Sequence, residues 1–181
     1  MQYQARGKTK DGREYLLRSA RPEDARAILD CDRKIHGESE YLTRYGDEPA
    51  RTLEKEAALL SRMEESPQMV YLCAILADEI VGLASIVGIG SARKLRHRCS
   101  FGISIEASCW KLGIGRAMTE ACLELALEAG YEQVELEVTA DNRRAIALYK
   151  AAGFVEYGRN PRGFKKIDGQ WQELVLMRME L

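Results

Sequence analysis

The fold of this chain is decided by residues 102–118, GISIEASCWKLGIGRAM. An apolar strand runs into a turn that contains Gly113 and Gly115, and the turn opens a long amphipathic helix. Glycines at a helix start let the backbone turn tightly and let its N–H groups approach a ligand closely. The first turn of a helix carries unpaired N–H donors and a partial positive charge, so this segment predicts a site for a phosphate group.

A second motif follows in residues 136–142, LEVTADN, and continues through residues 145–149, AIALY, to Gly153-Phe154. Asn142, Ala145 and Tyr149 are separated by three and then four residues, so a helix would carry them on one face. The motif therefore predicts a strand followed by a helix that presents these three residues together.

The two motifs together resemble the GNAT family, the Gcn5-related N-acetyltransferases, which transfer an acetyl group from acetyl-CoA to an amine. The family signature has Gln or Arg, two free positions, Gly, one free position, and then Gly or Ala. Gly113 and Gly115 fit this signature, and Trp110 stands in the Gln/Arg position. Residues 136–149 are similar to the bacterial ribosomal-protein alanine N-acetyltransferases. The resemblance is weaker in the N-terminal third, which in the family contains the part that selects the substrate.

Composition indicates an ordinary globular protein. The chain has 181 residues, of which 46% are hydrophobic and 30% charged, with a formal net charge of −1. This length allows one domain with its own core, so we expect residues 1–181 to form a single GNAT domain. The balanced charge argues against nucleic-acid or membrane partners, and the basic run at residues 93–98 is only a weak signal for DNA binding. Residues 1–8 lack the apolar segment of a signal peptide, so the expected location is the cytoplasm.

The cysteines predict reduced thiols rather than a disulfide or metal framework. They are Cys31, Cys73, Cys99, Cys109 and Cys122. Their number is odd, their spacing is wide, and His36 and His97 are the only histidines, so neither a zinc site nor another metal site is expected. Mostly buried cysteines are the preferred interpretation.

Periodicity along the chain predicts an α/β fold (α+β, with a mixed sheet). Strands are expected at residues 3–8, 14–19, 69–77, 80–89, 99–105, 134–139, 154–158 and 173–179, with one helix that begins at about Pro22 and others near 53–63, from 114 to Gly130, and from 142 to Gly153. The sheet should be mostly antiparallel with helices on both faces. Strands 99–105 and 134–139 should be parallel, since a helix crosses between them, and the resemblance implies that this pair splays apart.

The resemblance implies that acetyl-CoA binds along both motifs as a co-substrate. The segment assigned to its pyrophosphate comprises Lys111, Leu112, Gly113, Ile114, Gly115 and Arg116. The pantetheine arm would pair with the strand at Ile103 and Ile105, and a backbone N–H near Ile105 would face the thioester carbonyl. Asn142, Ala145 and Tyr149 would face the cofactor from the second helix. The alternative is a glycine-rich turn without a ligand.

Two side chains are predicted to be catalytic by the same resemblance. Tyr149 would protonate the departing thiolate, and Glu137 would take a proton from the attacking amine, either directly or through water. The alternatives are a tyrosine that packs at the sheet edge and a surface or salt-bridged glutamate. Glu106 and Glu135 are weaker candidates for the base.

The acceptor is expected to be a small-molecule amine or a protein N-terminus, since the family acetylates amines. The acidic segment at residues 38–48 would suit a cationic amine if it lined the acceptor side, although a solvated loop is the commoner role of such residues. Two other functions stay open: a non-catalytic acyl-CoA sensor, and a transferase for another acyl group such as succinyl. Family members are often dimers, so a homodimer is a further expectation.

Overall fold

A computed structural model describes residues 2–181. The strands are β1 Gln4–Lys8, β2 Glu14–Ser19, β3 Val70–Leu76, β4 Glu79–Gly88, β5 Arg98–Ile105, β6 Gln133–Thr139, β7 Val155–Lys165 and β8 Trp171–Glu180. The α-helices are α1 Ala25–Glu38, α2 Leu53–Glu65, α3 Ile114–Glu128 and α4 Arg143–Ala151. Within the described residues the strands form one 8-stranded sheet in the order β1-β2-β3-β4-β5-β6-β8-β7. Only β5 and β6 pair in parallel, which confirms the predicted mixed sheet.

Helices cover both faces of the sheet and enclose two hydrophobic clusters. On one face α3 buries Ile114 and Met118 against β3, β4 and β5. On the other face Ile28 of α1 and Leu60 of α2 pack against Leu83 of β4. The apolar spacing of each helix sequence therefore marks the side that is buried, as predicted.

The parallel pair is short, and this determines where a ligand can enter. β5 and β6 are in register at only three positions, Arg98↔Gln133, Cys99↔Val134 and Ser100↔Glu135. The antiparallel pairing of β4 with β5 continues to Gly82↔Ile105. The last part of β5 therefore has a free edge on the β6 side, and the strands splay as the resemblance implies.

The last two strands are longer than their sequences indicate. The predicted strand at residues 154–158 extends to Lys165, and that at 173–179 begins at Trp171. Gly158, Pro161 and Gly163 interrupt the alternation of β7, and its register with β8 shifts between Glu156 and Gly158 and between Asn160 and Phe164. Bulges of this kind let an edge strand continue through residues that break a regular ladder.

The cysteines are buried and free, as predicted. Burial raises the pKa of Cys31, Cys73, Cys99 and Cys122 to about 12, so these thiols stay protonated and unreactive at neutral pH. None of the helices within residues 2–181 has the length and apolar character needed to cross a membrane.

Candidate active site

A cleft of about 790 Å³ opens where β5 and β6 separate. Most of the predicted site residues line it: Ile103, Ile105, Lys111, Gly113, Gly115, Arg116, Glu137, Asn142, Ala145 and Tyr149. Two predicted residues do not, because Ile114 is fully buried in the core and Leu112 packs against that core. For these two, only the main chain is available to a ligand.

The phosphate loop, residues 111–116, has the backbone shape of an anion site. Lys111 has a φ of 64° and Gly113 a φ of 94°, both in the left-handed region. No side chain caps α3 at Gly113, so the first N–H groups of this helix are left for a ligand. A Cβ on Gly115 would lie 3.2 Å from Cδ1 of Ile105, so glycine lets α3 approach β5 closely.

A lysine from the N-terminal hairpin also reaches this loop. The Lys10 N–H donates to the Leu112 carbonyl at 3.0 Å, and its side chain lines the cleft beside Gly113. The neighbouring Asp11 is engaged by Arg13, whose guanidinium holds the pKa of that carboxyl to about 2. The Lys10 ammonium, which makes no ion pair with any described residue, is therefore available to a phosphate.

Trp110 has a local role in place of the Gln or Arg of the family signature. Its indole N–H donates to the Ile105 carbonyl at 2.7 Å, at the end of the free edge of β5. The Glu106 N–H donates to Val81 of β4, and successive N–H groups of a strand point to opposite sides. The Ile105 N–H therefore points away from β4, toward the cleft, where a thioester carbonyl could accept it. The Arg144 guanidinium stacks on the indole, 3.5 Å from the ring centre.

Asn142 and Tyr149 are held by α4. Asn142 caps the helix by accepting from the Ala145 N–H at 3.2 Å. Tyr149 is 7% exposed, and its ring packs against Phe101 and Phe154 at centroid distances of 6.1 and 5.9 Å. Its hydroxyl bonds to no other described residue, and burial raises its pKa to about 12. The phenol therefore stays protonated and lines the cleft, as a proton donor must.

Of the three candidate carboxylates, Glu137 alone lines the cleft. It is exposed and makes no ion pair with a described residue, so its carboxylate is free to take a proton. Glu135 is bound by Arg98 at 2.5 Å and also by Gln133, and the hydrogen bond from Arg98 lowers its pKa. Glu106 is 5% exposed and pairs with Lys34 at 2.5 Å. Both are structural partners of cations rather than free bases.

The hydroxyl of Thr139, the last residue of β6, is absent from the site predicted from the sequence, and no local pattern points to it. Thr139 is 1% exposed and lines the cleft, and its Oγ1 has no hydrogen-bond partner. A buried hydroxyl without a partner is costly unless a ligand or water satisfies it. Together with the glycine cradle and the free edge of β5, it shows that the residues present fit an extended, amide-bearing molecule with phosphates, as acetyl-CoA is.

The acceptor side is not acidic in the way that the sequence suggested. The loop residues that line the cleft are Ser39, Tyr41, Leu42, Thr43 and Arg44. The acidic residues face elsewhere: Glu38 accepts from the Ala107 N–H at 2.8 Å, and Glu40 pairs with Lys166 at 3.2 Å. Charge composition alone does not tell which side of a loop its carboxylates face.

Comparison with known proteins is consistent with this geometry. Residues 26–154 match the family model described as the acetyltransferase (GNAT) family. The chain belongs to the GNAT family. The structure of a GNAT acetyltransferase from Streptococcus pneumoniae superposes with a TM-score of 0.89, at 27% identity over 92% of this chain and 99% of that one. A phosphinothricin acetyltransferase from Sinorhizobium meliloti in complex with acetyl-CoA has a TM-score of 0.79 at 21% identity, over 91% and 87% of the two chains.

Curated relatives fall into several groups. An uncharacterized protein of Mycobacterium leprae is 30% identical over 83% of this chain, but the chain spans only 38% of that protein. An L-amino acid N-acetyltransferase of Escherichia coli is 26% identical over 78% of this chain and 83% of its own length. The ribosomal protein bS18 alanine N-acetyltransferase of Escherichia coli is 30% identical over 42% of this chain and 51% of its own length. The predicted similarity to ribosomal-protein alanine N-acetyltransferases is thus confirmed.

Proposed function

We propose that this protein is an acetyl-CoA-dependent N-acetyltransferase that transfers the acetyl group to a primary amine by direct attack. One observation carries this proposal: a single cleft contains the phosphate loop, the free edge of β5, the phenol of Tyr149 and the carboxylate of Glu137. An acyl-CoA sensor needs the first two features alone. The proton donor and the proton acceptor favour catalysis.

Acetyl-CoA, when bound, supplies an activated acetyl group as a thioester. The phosphate loop and Lys10 hold the phosphates, and the free edge of β5 pairs with the pantetheine amides. The Ile105 N–H donates to the carbonyl oxygen on which negative charge develops. Holding the two reactants together in this way supplies much of the rate acceleration by orientation.

The proton transfers fall to two side chains. The amine reaches the cleft as an ammonium, and Glu137 removes one proton, directly or through water. The nitrogen forms its bond to the carbonyl carbon as the carbon–sulfur bond breaks. Tyr149 then gives its proton to the sulfur, and the resulting phenolate takes the second proton from the acetylated nitrogen, which leaves a neutral amide. Because burial keeps Tyr149 protonated, the donor is present throughout the neutral and mildly alkaline range.

The relatives indicate the chemical range of acceptors. One is named for free L-amino acids and another for the N-terminal alanine of a ribosomal protein, and both offer a primary amine. We propose the same functional group for this protein, acting through residues 1–181 as one domain. Its buried free thiols suit a reducing compartment, so we place its activity in the cytoplasm.

The test combines a binding measurement with product analysis. Calorimetry measures the affinity for acetyl-CoA, and mass spectrometry then searches for acetylated products among N-terminal peptides, amino acids, polyamines and aminoglycosides. Acetylated amine confirms the proposal. Binding without any product favours the sensor function, product only with succinyl-CoA favours another acyl group, and no binding of any acyl-CoA refutes the proposal.

A further inference from the structure

Two arginines line the part of the cleft formed by α1 and the segment that follows it. Arg44 donates from Nη2 to Asp32 at 2.6 Å, and Arg51 donates from Nη1 to Glu56 at 3.2 Å. Both arginines and Asp32 line the cleft. This wall therefore combines cations and anions, and it differs from the uniformly acidic wall that a polyamine requires.

Each of these two arginines donates a hydrogen bond to its partner carboxylate from only one of its guanidinium nitrogens. Arg18 shows the other arrangement, because it grips Asp24 through two nitrogens, at 2.6 and 2.7 Å. A guanidinium carries five N–H donors in a planar fork that fits a carboxylate with two parallel hydrogen bonds. Arg44 and Arg51 make no second side-chain hydrogen bond or ion pair among the described residues, so each retains donors for another carboxylate.

Glu56 fixes the position of Arg51. This carboxylate is 1% exposed, and its ion pair with Arg51 is the one that the described residues provide. A buried carboxylate is costly without a partner, so Glu56 draws the guanidinium toward the sheet and into the cleft wall. The Arg51 side chain is still 59% exposed, which leaves its remaining nitrogens accessible.

Tyr71 adds a neutral donor at the same place. It lines the cleft from β3, and Glu56 and Arg51 lie close enough to act on its pKa. Burial is the largest influence and raises that pKa, so the hydroxyl keeps its proton. No other described residue bonds to this hydroxyl. It can therefore donate to an oxyanion held by Arg51.

The segment at residues 39–49 restricts the size of the acceptor. At its start Glu38 accepts from the Ala107 N–H at 2.8 Å, beyond the end of β5. Further along, the Ile167 N–H donates to the Tyr45 hydroxyl at 3.1 Å, in the turn between β7 and β8. The segment thus crosses from one side of the cleft to the other. A cleft that is strapped in this way favours a small acceptor over the terminus of a folded protein.

We propose that the acceptor is a free α-amino acid, whose carboxylate is bound by Arg51 and Arg44 while its ammonium faces Glu137. This inference rests on the proposed acetyltransferase function. A zwitterion matches a wall that offers both free guanidinium donors and a carboxylate. The products are the N-acetylamino acid and CoA: one proton passes from the ammonium to Glu137, Tyr149 gives its proton to the sulfur, and the tyrosine regains a proton from the acetylated nitrogen.

The test compares acceptors that differ only in the carboxylate. The common L-amino acids are each assayed beside the corresponding primary amide, the decarboxylated amine and a dipeptide with the same N-terminal residue. Loss of charge-assisted hydrogen bonds corresponds to about 10- to 100-fold, so kcat/KM is expected to be higher by that factor for the amino acid. Equal or better acetylation of the amides, amines or dipeptides overturns the inference, although it leaves the acetyltransferase function standing. Failure to acetylate any amine refutes the proposed function instead.

Variants of Arg44 and Arg51 test whether these side chains cause the preference for an acceptor with a carboxylate. Arg44→Gln and Arg51→Gln should each reduce the ratio of kcat/KM between amino acid and amide by about 10-fold or more. Arg51→Gln leaves Glu56 buried without its partner, so the double variant Arg51→Gln/Glu56→Gln, which removes both charges, is made alongside. Arg62→Gln, on an exposed position of α2 outside the cleft, is the matched control and should keep the wild-type ratio. An unchanged ratio in Arg44→Gln and in the double variant overturns the assignment.

Discussion

Replacing Tyr149 with Phe removes one hydroxyl group and leaves the aromatic ring in place. The ring contacts with Phe101 and Phe154 do not involve the hydroxyl, and no described residue bonds to it. The variant should therefore fold normally, with a change in the free energy of unfolding below about 1 kcal/mol at pH 7. Its affinity for acetyl-CoA should stay close to that of the wild type, because binding depends on other groups.

The rate should fall, and the structure indicates how far. A positioned general acid contributes about 10²- to 10⁴-fold, which corresponds to about 3–5 kcal/mol of transition-state stabilisation. Burial raises the pKa of Tyr149 to about 12, so the phenol is protonated at neutral pH and its proton is available to the departing thiolate. We expect kcat to decrease by at least about 10²-fold.

The assay follows CoA release with a thiol reagent and the acetylated product by mass spectrometry, with acetyl-CoA affinity measured on the same preparation. Tyr15→Phe is the matched control, since Tyr15 is a half-buried tyrosine outside the cleft. Wild-type turnover in Tyr149→Phe, with unchanged affinity, would refute the role of Tyr149 as the acid.

The raised pKa of Tyr149 also has a consequence for stability. The folded value of about 12 lies above the ordinary value of 10.0, so the unfolded chain ionises first as the pH rises. The stabilisation from a protonated Tyr149 is complete below pH 10 and is lost as the pH approaches 12. By pH 11 the wild type should lose about 1.4 kcal/mol relative to Tyr149→Phe, which parallel urea titrations at pH 8 and pH 11 would measure. An identical pH dependence in the two proteins would contradict the burial of this phenol.

Three further changes test other parts of the cleft. Glu137→Gln should lower kcat by about 10²- to 10⁴-fold, with Glu128→Gln as an exposed control, and an unchanged kcat would remove Glu137 as the base. Lys10→Ala should weaken acetyl-CoA binding about 10-fold. Lys8→Ala should not show this effect, and neither should Lys10→Ala with acetyl-pantetheine, which lacks the phosphates. An equal loss of affinity for both ligands would argue against a contact between Lys10 and a phosphate. Gly113→Ala forces a Cβ onto a backbone with a φ of 94°, so it should cost about 1–2 kcal/mol of folding stability in urea titration, and wild-type stability would show that the loop relaxes.

Local signals in the sequence predicted which residues meet at the centre of this cleft. Gly113 and Gly115 stand where a strand turns into a helix: Gly113 takes a φ of 94°, and Gly115 lets α3 approach Ile105 of the preceding strand. The parallel pair could also be predicted, because a helix between two strands leaves the second strand parallel to the first. Asn142 and Tyr149 share a face of α4 because of their spacing alone.

Contacts between distant segments could not be predicted in this way. Lys10 reaches Leu112 because the N-terminal hairpin docks on the phosphate loop, and nothing local to residues 9–12 encodes that docking. Whether Glu38 and Glu40 face the cleft depends on partners at Ala107 and Lys166, far away in the sequence. Arg51 donates to Glu56 from a single nitrogen, and this likewise depends on how the folded chain packs around Glu56.

The three-residue pairing of β5 with β6 makes this sheet two half-sheets joined by a short seam. Water must satisfy the free edge of β5 in the empty protein, whereas a bound pantetheine arm would bridge the halves. Binding of acetyl-CoA and release of CoA would then form and break a stretch of β-ladder hydrogen bonds at the middle of the sheet in every catalytic cycle. Strengthening that ladder would tighten binding and also slow the exit of CoA, so affinity and turnover oppose each other at the same hydrogen bonds.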